Sequence, residues 1–288
     1  MVRGSDGRPR AGCRIALFLA VFIAMNASLA LSTRAAMGSL RRDSFLVIAI
    51  LAFSATAAVA IARRFFDRRS FVSLGLGGRS RAIRDLVFGF GLSGVMAAAV
   101  FVILWQTGHA VAISATTDPA RLAAIVLTGL ASTALIGFWE ELVFRGYLFH
   151  NLRDGIGLTA TVIISCLLYG AVHAANPNAT LVSSAIIVGF GLLRLYGVLA
   201  TGLLWLSMGM HIGWNFFQAP VLGFAASGHT ESATIIEHTR AGPDWISGGA
   251  FGLEGSVVTL PVMGLALVAM WGWSRRRSSS RTPRAPTS

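Results

Sequence analysis

The sequence contains no lysine, little charge of either sign and only two cysteines. Charged residues make up 12% of the chain, about half of the fraction that is usual in soluble globular domains, which excludes an ordinary soluble domain. Cys13 lies in a basic segment and Cys166 in an apolar run, so they provide neither a disulfide framework nor a metal site. What the sequence does contain is hydrophobic residues, at 55% of the chain and a mean hydropathy of +0.69.

The apolar residues form long, continuous runs. Several runs approach or exceed the ~18 residues that cross a bilayer as a helix, and they lack the alternation of barrel strands. Since only helices and closed barrels satisfy their own backbone in lipid, the sequence predicts an all-α fold, a polytopic transmembrane helical bundle of about eight helices. The predicted spans are 15–33, 44–62, 86–105, 121–150, 157–175, 180–196, 198–219 and 257–273.

These spans divide the chain into five predicted regions. Asp118 and Pro119 are typical of an N-cap followed by a first-turn proline, and they mark the start of the fourth span. The regions are a basic cytoplasmic N-terminus (1–14), N-terminal transmembrane helices and loops (15–120), core helices (121–219), an extracytoplasmic loop (220–256), and a last helix with a basic, disordered tail (257–288).

The net charge of +12 comes from arginine alone, and its placement indicates the partner. The arginines concentrate in short segments beside the apolar runs, which is the positive-inside pattern. The lipid bilayer is therefore the expected partner, and no nucleic acid is expected. The N-terminus, the segment 63–85 and the tail are rich in arginine, whereas 106–120 has none. Although Arg34, Arg41 and Arg42 oppose this assignment, it predicts that both termini are cytoplasmic.

The composition also favours a bacterial origin, because the chain is rich in Arg, Ala and Gly and free of lysine. We therefore expect an integral protein of the bacterial inner membrane. The first apolar run is long for a signal peptide and lacks a clear cleavage site, which favours a retained anchor over a cleaved signal.

Ionisable residues stand out inside the apolar runs. Each costs ~2.5–3.5 kcal/mol on insertion scales, so such residues are rare and usually paired or functional. Here they are grouped on three predicted helices, and the group comprises Glu140, Glu141, Arg145, His173, His211 and Asn215.

Helical geometry separates the two adjacent glutamates. Neighbouring residues on a helix point about 100° apart, so Glu140 and Glu141 cannot share one partner equally. Glu141 precedes Arg145 by one turn, in the order that favours an intrahelical ion pair. Glu140 has no such local counter-ion, and a free carboxylate of this kind suits a general base that takes a proton from water.

The histidines are compatible with two kinds of hydrolytic site. His211 and Asn215 lie one turn apart on one helix face, where the amide of Asn215 could donate to an oxyanion. His173 and His211, together with Glu140 or Glu141, would also satisfy a catalytic zinc site. The residues alone leave both a metal-bound water and a water activated by Glu140 open.

The three spaced elements resemble the motifs of the CPBP family, the CAAX-protease and bacteriocin-processing (Abi) intramembrane proteases related to the prenyl-protein endopeptidase Rce1. The family pattern is EExxxR, FxxxH and HxxxN/D, matched here by Glu140-Glu141-x-x-x-Arg145, Tyr169-x-x-x-His173 and His211-x-x-x-Asn215. The chain departs from the pattern only at Tyr169, where Phe is usual. The region 121–219 thus resembles the catalytic core of this family.

The resemblance implies an intramembrane endopeptidase, in which Glu140 activates water, Glu141 and Arg145 support it, and His173, His211 and Asn215 complete the site. The implied partner is a peptide or membrane-protein substrate, and metal dependence stays open. Two other functions are compatible with these residues. Intramembrane Glu, Arg and His build the relays of proton-coupled transporters, and a membrane scaffold or immunity protein could retain the fold without hydrolysis.

Three structural expectations accompany this functional interpretation. Arg194, near a span end, is expected to extend its charge to the membrane interface. Gly202, Gly209 and Gly213 are expected to permit close helix packing. The predicted span limits place Glu140 towards the cytoplasmic side and His173 towards the outer side, so a shared site requires shifted limits, a tilted helix or a broken one.

Overall fold

The structure is a computed structural model that describes residues 7–38 and 44–279. Helices dominate it, as the sequence predicts, and they confirm the all-α class. The helices are α1 (Ala11–Met37), α2 (Phe45–Ile61), α3 (Arg79–Gln106), α4 (Pro119–Glu141), α5 (Phe149–Ile156), α6 (Leu158–His173), α7 (Leu181–Thr201), α8 (Trp205–Phe216), α9 (Asp244–Ser247) and α10 (Thr259–Ser279).

Each of the eight predicted spans has a helix at its place. Within the described residues, five helical segments are long and apolar enough to cross a membrane, namely Ala11–Met37, Phe45–Phe66, Phe71–Gln106, Pro119–Ile156 and Leu181–Thr201. The protein is therefore an integral membrane protein. Of the remaining helices, α6 has 16 residues and α8 has 12, so eight complete crossings remain a prediction.

Capping residues fix where the central helices begin and end. The Asp118 side chain accepts a hydrogen bond from the Ala120 amide at 3.0 Å, with Pro119 in the first turn, which confirms the predicted start of α4. Gly202 ends α7 with φ +69°, a left-handed conformation that glycine adopts without strain. A Cβ there would meet no atom within 4 Å, so the packing role predicted for Gly202 is wrong.

The crossing of α3 and α8 forms the centre of the bundle. A Cβ on Gly209 would lie 2.1 Å from the carbonyl oxygen of Leu86, and one on Gly213 would lie 2.5 Å from that of Phe90. The predicted packing role of these two glycines is confirmed, because only glycine lets the two backbones approach so closely. The largest apolar core surrounds this crossing and includes residues of α7 and α10.

A buried ionic cluster ties α1 to the rest of the protein at one end of the bundle. The Asp67 carboxylate is fully buried, and it pairs with Arg63 at 2.8 Å and with Arg14 at 3.3 Å. Arg14 also pairs with Asp154 at 3.2 Å. These contacts hold the first residues of α1 against α5 and the end of α2, whereas most of α1 faces outward.

A small sheet lies at the C-terminal end of α3, away from the ionic cluster, and joins the segments 106–120 and 220–256. Strand β1 (Ala110–Ala115) pairs antiparallel with β2 (Ile236–Arg240), and Ala110 lies opposite Arg240. Such short strands between apolar helices escape prediction because they show no strong alternation of polar and apolar residues.

Some predictions concern residues outside the described part of the chain. Arg3, Arg41 and Arg42 lie there, as do residues 280–288 of the predicted disordered tail. Helix α10 continues to Ser279, beyond the predicted end of its span at residue 273.

Candidate active site

A helical hairpin brings Glu140 and His173 to the same level. Helix α4 continues through a π-helical segment (Leu142–Leu148) into α5, and the chain then turns at Gly157, whose φ is +76°, into α6. Glu140 and His173 lie nearly equal numbers of residues before and after this turn, so a constant rise per residue places them side by side. Helix α4–α5 is longer than predicted, and this removes the expected difference in depth.

Glu141 is fully enclosed by polar partners. Its side chain has no solvent exposure and forms the predicted ion pair with Arg145, whose Nη1 lies 3.2 Å from Oε1. The same oxygen lies 2.9 Å from His211 Nδ1, and Oε2 accepts a short hydrogen bond from the hydroxyl of Ser207. Both carboxylate oxygens are thus occupied in holding other side chains.

Glu140 occupies a different environment one residue earlier. Its Oε2 lies 3.7 Å from His211 Nε2 and 3.9 Å from His173 Nε2, and its side chain is 13% exposed. These separations exceed hydrogen-bond length, but catalytic contacts are often long in a free enzyme and shorten when substrate binds. Glu140 is therefore the more accessible carboxylate of the pair, and its catalytic role stays a prediction.

The Nδ1 atoms of both histidines already have hydrogen-bond partners, and these partners determine the role of the Nε2 atoms. His173 Nδ1 lies 2.8 Å from the Tyr169 carbonyl, and His211 Nδ1 faces the Glu141 carboxylate. Both partners only accept hydrogen bonds, so each Nδ1 carries the proton of a neutral ring. The Nε2 atoms, which face Glu140, are then acceptors.

One face of α8 carries three polar residues at successive turns. Ser207, His211 and Asn215 are each four residues apart, so they line up along the helix, and all three are buried. Asn215 makes no side-chain hydrogen bond to any described residue, which leaves its amide group available as a donor. Ser207 is not among the predicted site residues, although its spacing before His211 is a usable signal.

The arginine of the first motif is held by an aromatic ring as well as by Glu141. Arg145 lies in the π-helical segment, and its guanidinium carbon is 4.0 Å from the centre of the Tyr169 ring. Such a contact is a cation–π interaction, and π-helical segments are frequent at functional sites. The first two motifs are thus in direct contact.

Arg194 corrects a further prediction. It is only 1% exposed, and its Nη1 lies 2.6 Å from the Tyr169 hydroxyl. The arginine therefore points into the bundle instead of towards the membrane interface, because a buried partner for its charge is available there. Little in the local sequence indicates this, since a single arginine near a span end usually reaches water.

The predicted zinc ligands do not form a complete metal site in this arrangement. Two histidines and a carboxylate are a suitable donor set for zinc, and they do lie together. Across residues 7–38 and 44–279, however, no group of three or more His, Cys, Asp or Glu side chains is placed to hold a metal ion. Zinc therefore stays a prediction.

Comparison with known proteins gives one match. Residues 121–217 match the family model described as "Rce1-like", type II CAAX prenyl endopeptidase Rce1-like. The search of curated proteins and the search of solved structures found no match. The matched segment runs from the start of α4 to the end of α8 and contains all three motifs. The resemblance inferred from the motifs is confirmed over residues 121–217, the segment that matches the Rce1-like family.

Proposed function

We propose that the protein is an intramembrane endopeptidase that hydrolyses peptide bonds of membrane-associated or leader-bearing polypeptides, with Glu140 as the general base. The observation that carries the proposal is that two adjacent glutamates have different surroundings. Glu141 is occupied by Arg145, His211 and Ser207, whereas Glu140 faces the ring nitrogens of two histidines. The match to a family of endopeptidases supports the same reading.

The proposed reaction begins with a water held beside Glu140 Oε2. The carboxylate takes one proton as the water oxygen attacks the carbonyl carbon of the peptide bond, which gives a tetrahedral oxyanion. The Asn215 amide donates a hydrogen bond to this oxyanion. His211 Nε2 accepts a hydrogen bond from the attacking water, while Nδ1 stays with Glu141.

The second half of the reaction returns the proton. The protonated Glu140 gives its proton to the departing amine as the C–N bond breaks, which releases the two peptide products and restores the carboxylate. Glu141 and Arg145 take no proton in this scheme; they fix His211 and the helix that carries Glu140. Removal of a general base usually lowers the rate by 10²–10⁴-fold.

The test compares wild-type protein with Glu140→Gln in membranes of host cells that lack an endogenous copy. Peptides released in the membranes are identified by mass spectrometry, with and without a zinc chelator. The matched control is Glu237→Gln, which changes a carboxylate on β2 whose side chain is 56% exposed. Products that disappear in Glu140→Gln and persist in the control support the proposal, and products lost on chelation indicate a metal.

Identical peptides from wild-type and Glu140→Gln membranes, at equal amounts of folded protein, would exclude hydrolysis at Glu140. Proton flux through reconstituted vesicles then tests the transporter alternative. A scaffold would tolerate substitution of His211, whereas the proposed peptidase would not.

A further inference from the structure

The Tyr169 hydroxyl connects Glu140 to a buried arginine outside the three motifs. Tyr169 is 1% exposed on α6, and its hydroxyl oxygen lies 3.2 Å from Glu140 Oε2. The same oxygen lies 2.6 Å from Nη1 of Arg194 on α7. Three side chains from three helices therefore form one continuous hydrogen-bonded chain that ends on the reactive carboxylate.

The chemistry of the three groups fixes the direction of this chain. A guanidinium has only donors, so the Tyr169 oxygen must accept from Arg194. A carboxylate has only acceptors, so the phenolic proton must point to Glu140. Each bond strengthens the next, because a phenol that accepts from a cation becomes a better donor. Hydrogen bonds to an ionised carboxylate are stronger than those between neutral groups.

The charge of Arg194 is matched by carboxylates around it. Glu140, Glu141 and Glu254 are the acidic groups whose charges act on it. Glu254 is itself buried, and it accepts hydrogen bonds from Trp214 Nε1 at 3.0 Å and from the Ser227 amide at 2.8 Å. A buried arginine is costly unless it is compensated in this way. The Nη2 atom of Arg194 forms no hydrogen bond within the described residues, so its guanidinium is oriented by the hydrogen bond from Nη1 to Tyr169.

We propose that Tyr169 and Arg194 are positioning residues, which hold the Glu140 carboxylate with Oε2 towards the two histidines. The family pattern has Phe where this chain has Tyr169. A phenylalanine can only pack there, whereas the tyrosine hydroxyl also donates a hydrogen bond to Glu140. The inference rests on the proposed role of Glu140 as general base. It adds a fourth helix, α7, to the machinery on α4, α6 and α8.

The first test is Tyr169→Phe, which removes the hydroxyl and retains the ring. The ring contacts Arg145 at 4.0 Å and packs edge-on against Phe144, with centres 5.1 Å apart, so the variant keeps its packing. We expect kcat to fall roughly 10- to 100-fold, the worth of one hydrogen bond to a charged group, with KM within about twofold. An unchanged kcat would overturn the proposal.

The matched control is Tyr147→Phe. Tyr147 is also fully buried, and its hydroxyl donates to the Arg14 carbonyl at 3.2 Å, in the ionic cluster away from Glu140. We expect this change to leave kcat unaltered even where it lowers the melting temperature. A fall in kcat equal to that of Tyr169→Phe would show that any lost tyrosine hydroxyl has this effect, and would refute a specific role for Tyr169.

A double-mutant cycle tests the link through Arg194. Arg194→Met should lower kcat in the wild-type background and have little further effect in Tyr169→Phe, because the chain is already broken there. Arg194→Lys retains a cationic donor, so we expect it to restore part of the loss and to remain folded where the methionine variant does not. Equal effects of Arg194→Met in both backgrounds would rule out the chain.

Infrared spectroscopy separates this inference from the proposed function. The difference spectrum between wild-type protein and Glu140→Gln isolates the carboxylate band of Glu140 without any substrate. The positioning contact predicts that this band shifts in Tyr169→Phe and not in Tyr147→Phe. A shifted band with no peptidase activity would refute the proposed function and keep the contact; an unshifted band would refute the contact even in an active enzyme.

Discussion

The two adjacent glutamates should differ most clearly in their contribution to stability. In Glu141→Gln, the replacement amide is neutral and turns an NH2 group towards side chains that donate hydrogen bonds. Arg145 would then be a buried charge without its carboxylate, although its contact with the Tyr169 ring remains. Breaking a buried ion pair by removing one partner costs ~3–5 kcal/mol.

This cost can be measured by thermal unfolding of the detergent-solubilised protein, followed by tryptophan fluorescence. For a chain of this size, 1 kcal/mol corresponds to about 2–4 °C, so we expect the melting temperature to fall by roughly 6–20 °C. Glu140→Gln should change it far less, because Glu140 has one hydrogen bond and is partly exposed. Activity should show the reverse order, with Glu140→Gln the less active of the two variants, provided that Glu141→Gln still folds.

The double variant Glu141→Gln/Arg145→Met serves as the control for the mechanism of this loss. Removing the unpaired cation should recover part of the melting temperature, since both charges of the pair are then absent. The reasoning would be refuted by a Glu141→Gln variant within about 2 °C of wild type. It would also be refuted if the double variant lost more stability than Glu141→Gln and Arg145→Met lose when their separate losses are added.

Two further predictions concern the frame around the site. Gly209→Ala should lower the melting temperature substantially, because its Cβ would lie 2.1 Å from the Leu86 carbonyl oxygen and overpacking costs ~1–3 kcal/mol or more; Ala at the open position Gly264, where nothing lies within 4 Å, is the control. On β2, burial, followed by the charge of Arg240, lowers the pKa of His238 below its usual 6.5. The unfolded chain therefore binds the proton first, and stability present above about pH 6.5 should be lost as the pH falls below it. The melting temperature of His238→Phe should therefore fall less than that of the wild type as the pH is lowered. An equal pH dependence in both proteins would contradict this prediction.

The sequence identified the candidate site residues but not all of their partners. Helical spacing alone paired Glu141 with Arg145 and aligned His211 with Asn215, because contacts between residues four apart are local. The position of Arg194 escapes prediction for the opposite reason: its partner Tyr169 lies on another helix, and nothing in the local sequence of α7 shows that Tyr169 is near. Ser207 is an intermediate case, visible in the spacing on α8 but interpretable only once Glu141 lies opposite.

The membrane environment and the helical class of this protein follow from its sequence alone, since the length of the apolar runs and the scarcity of charge act residue by residue through transfer between water and lipid. The order of the three motifs is likewise a property of the sequence, and it carries the resemblance to the Rce1-like family over residues 121–217. The meeting of Glu140, His173 and His211 at one level, in contrast, results from how the helices pack. That meeting depends on the unbroken length of α4–α5, on the turn at Gly157 and on the close crossing of α3 and α8. Such features arise from packing between distant segments, whose energies no local pattern records.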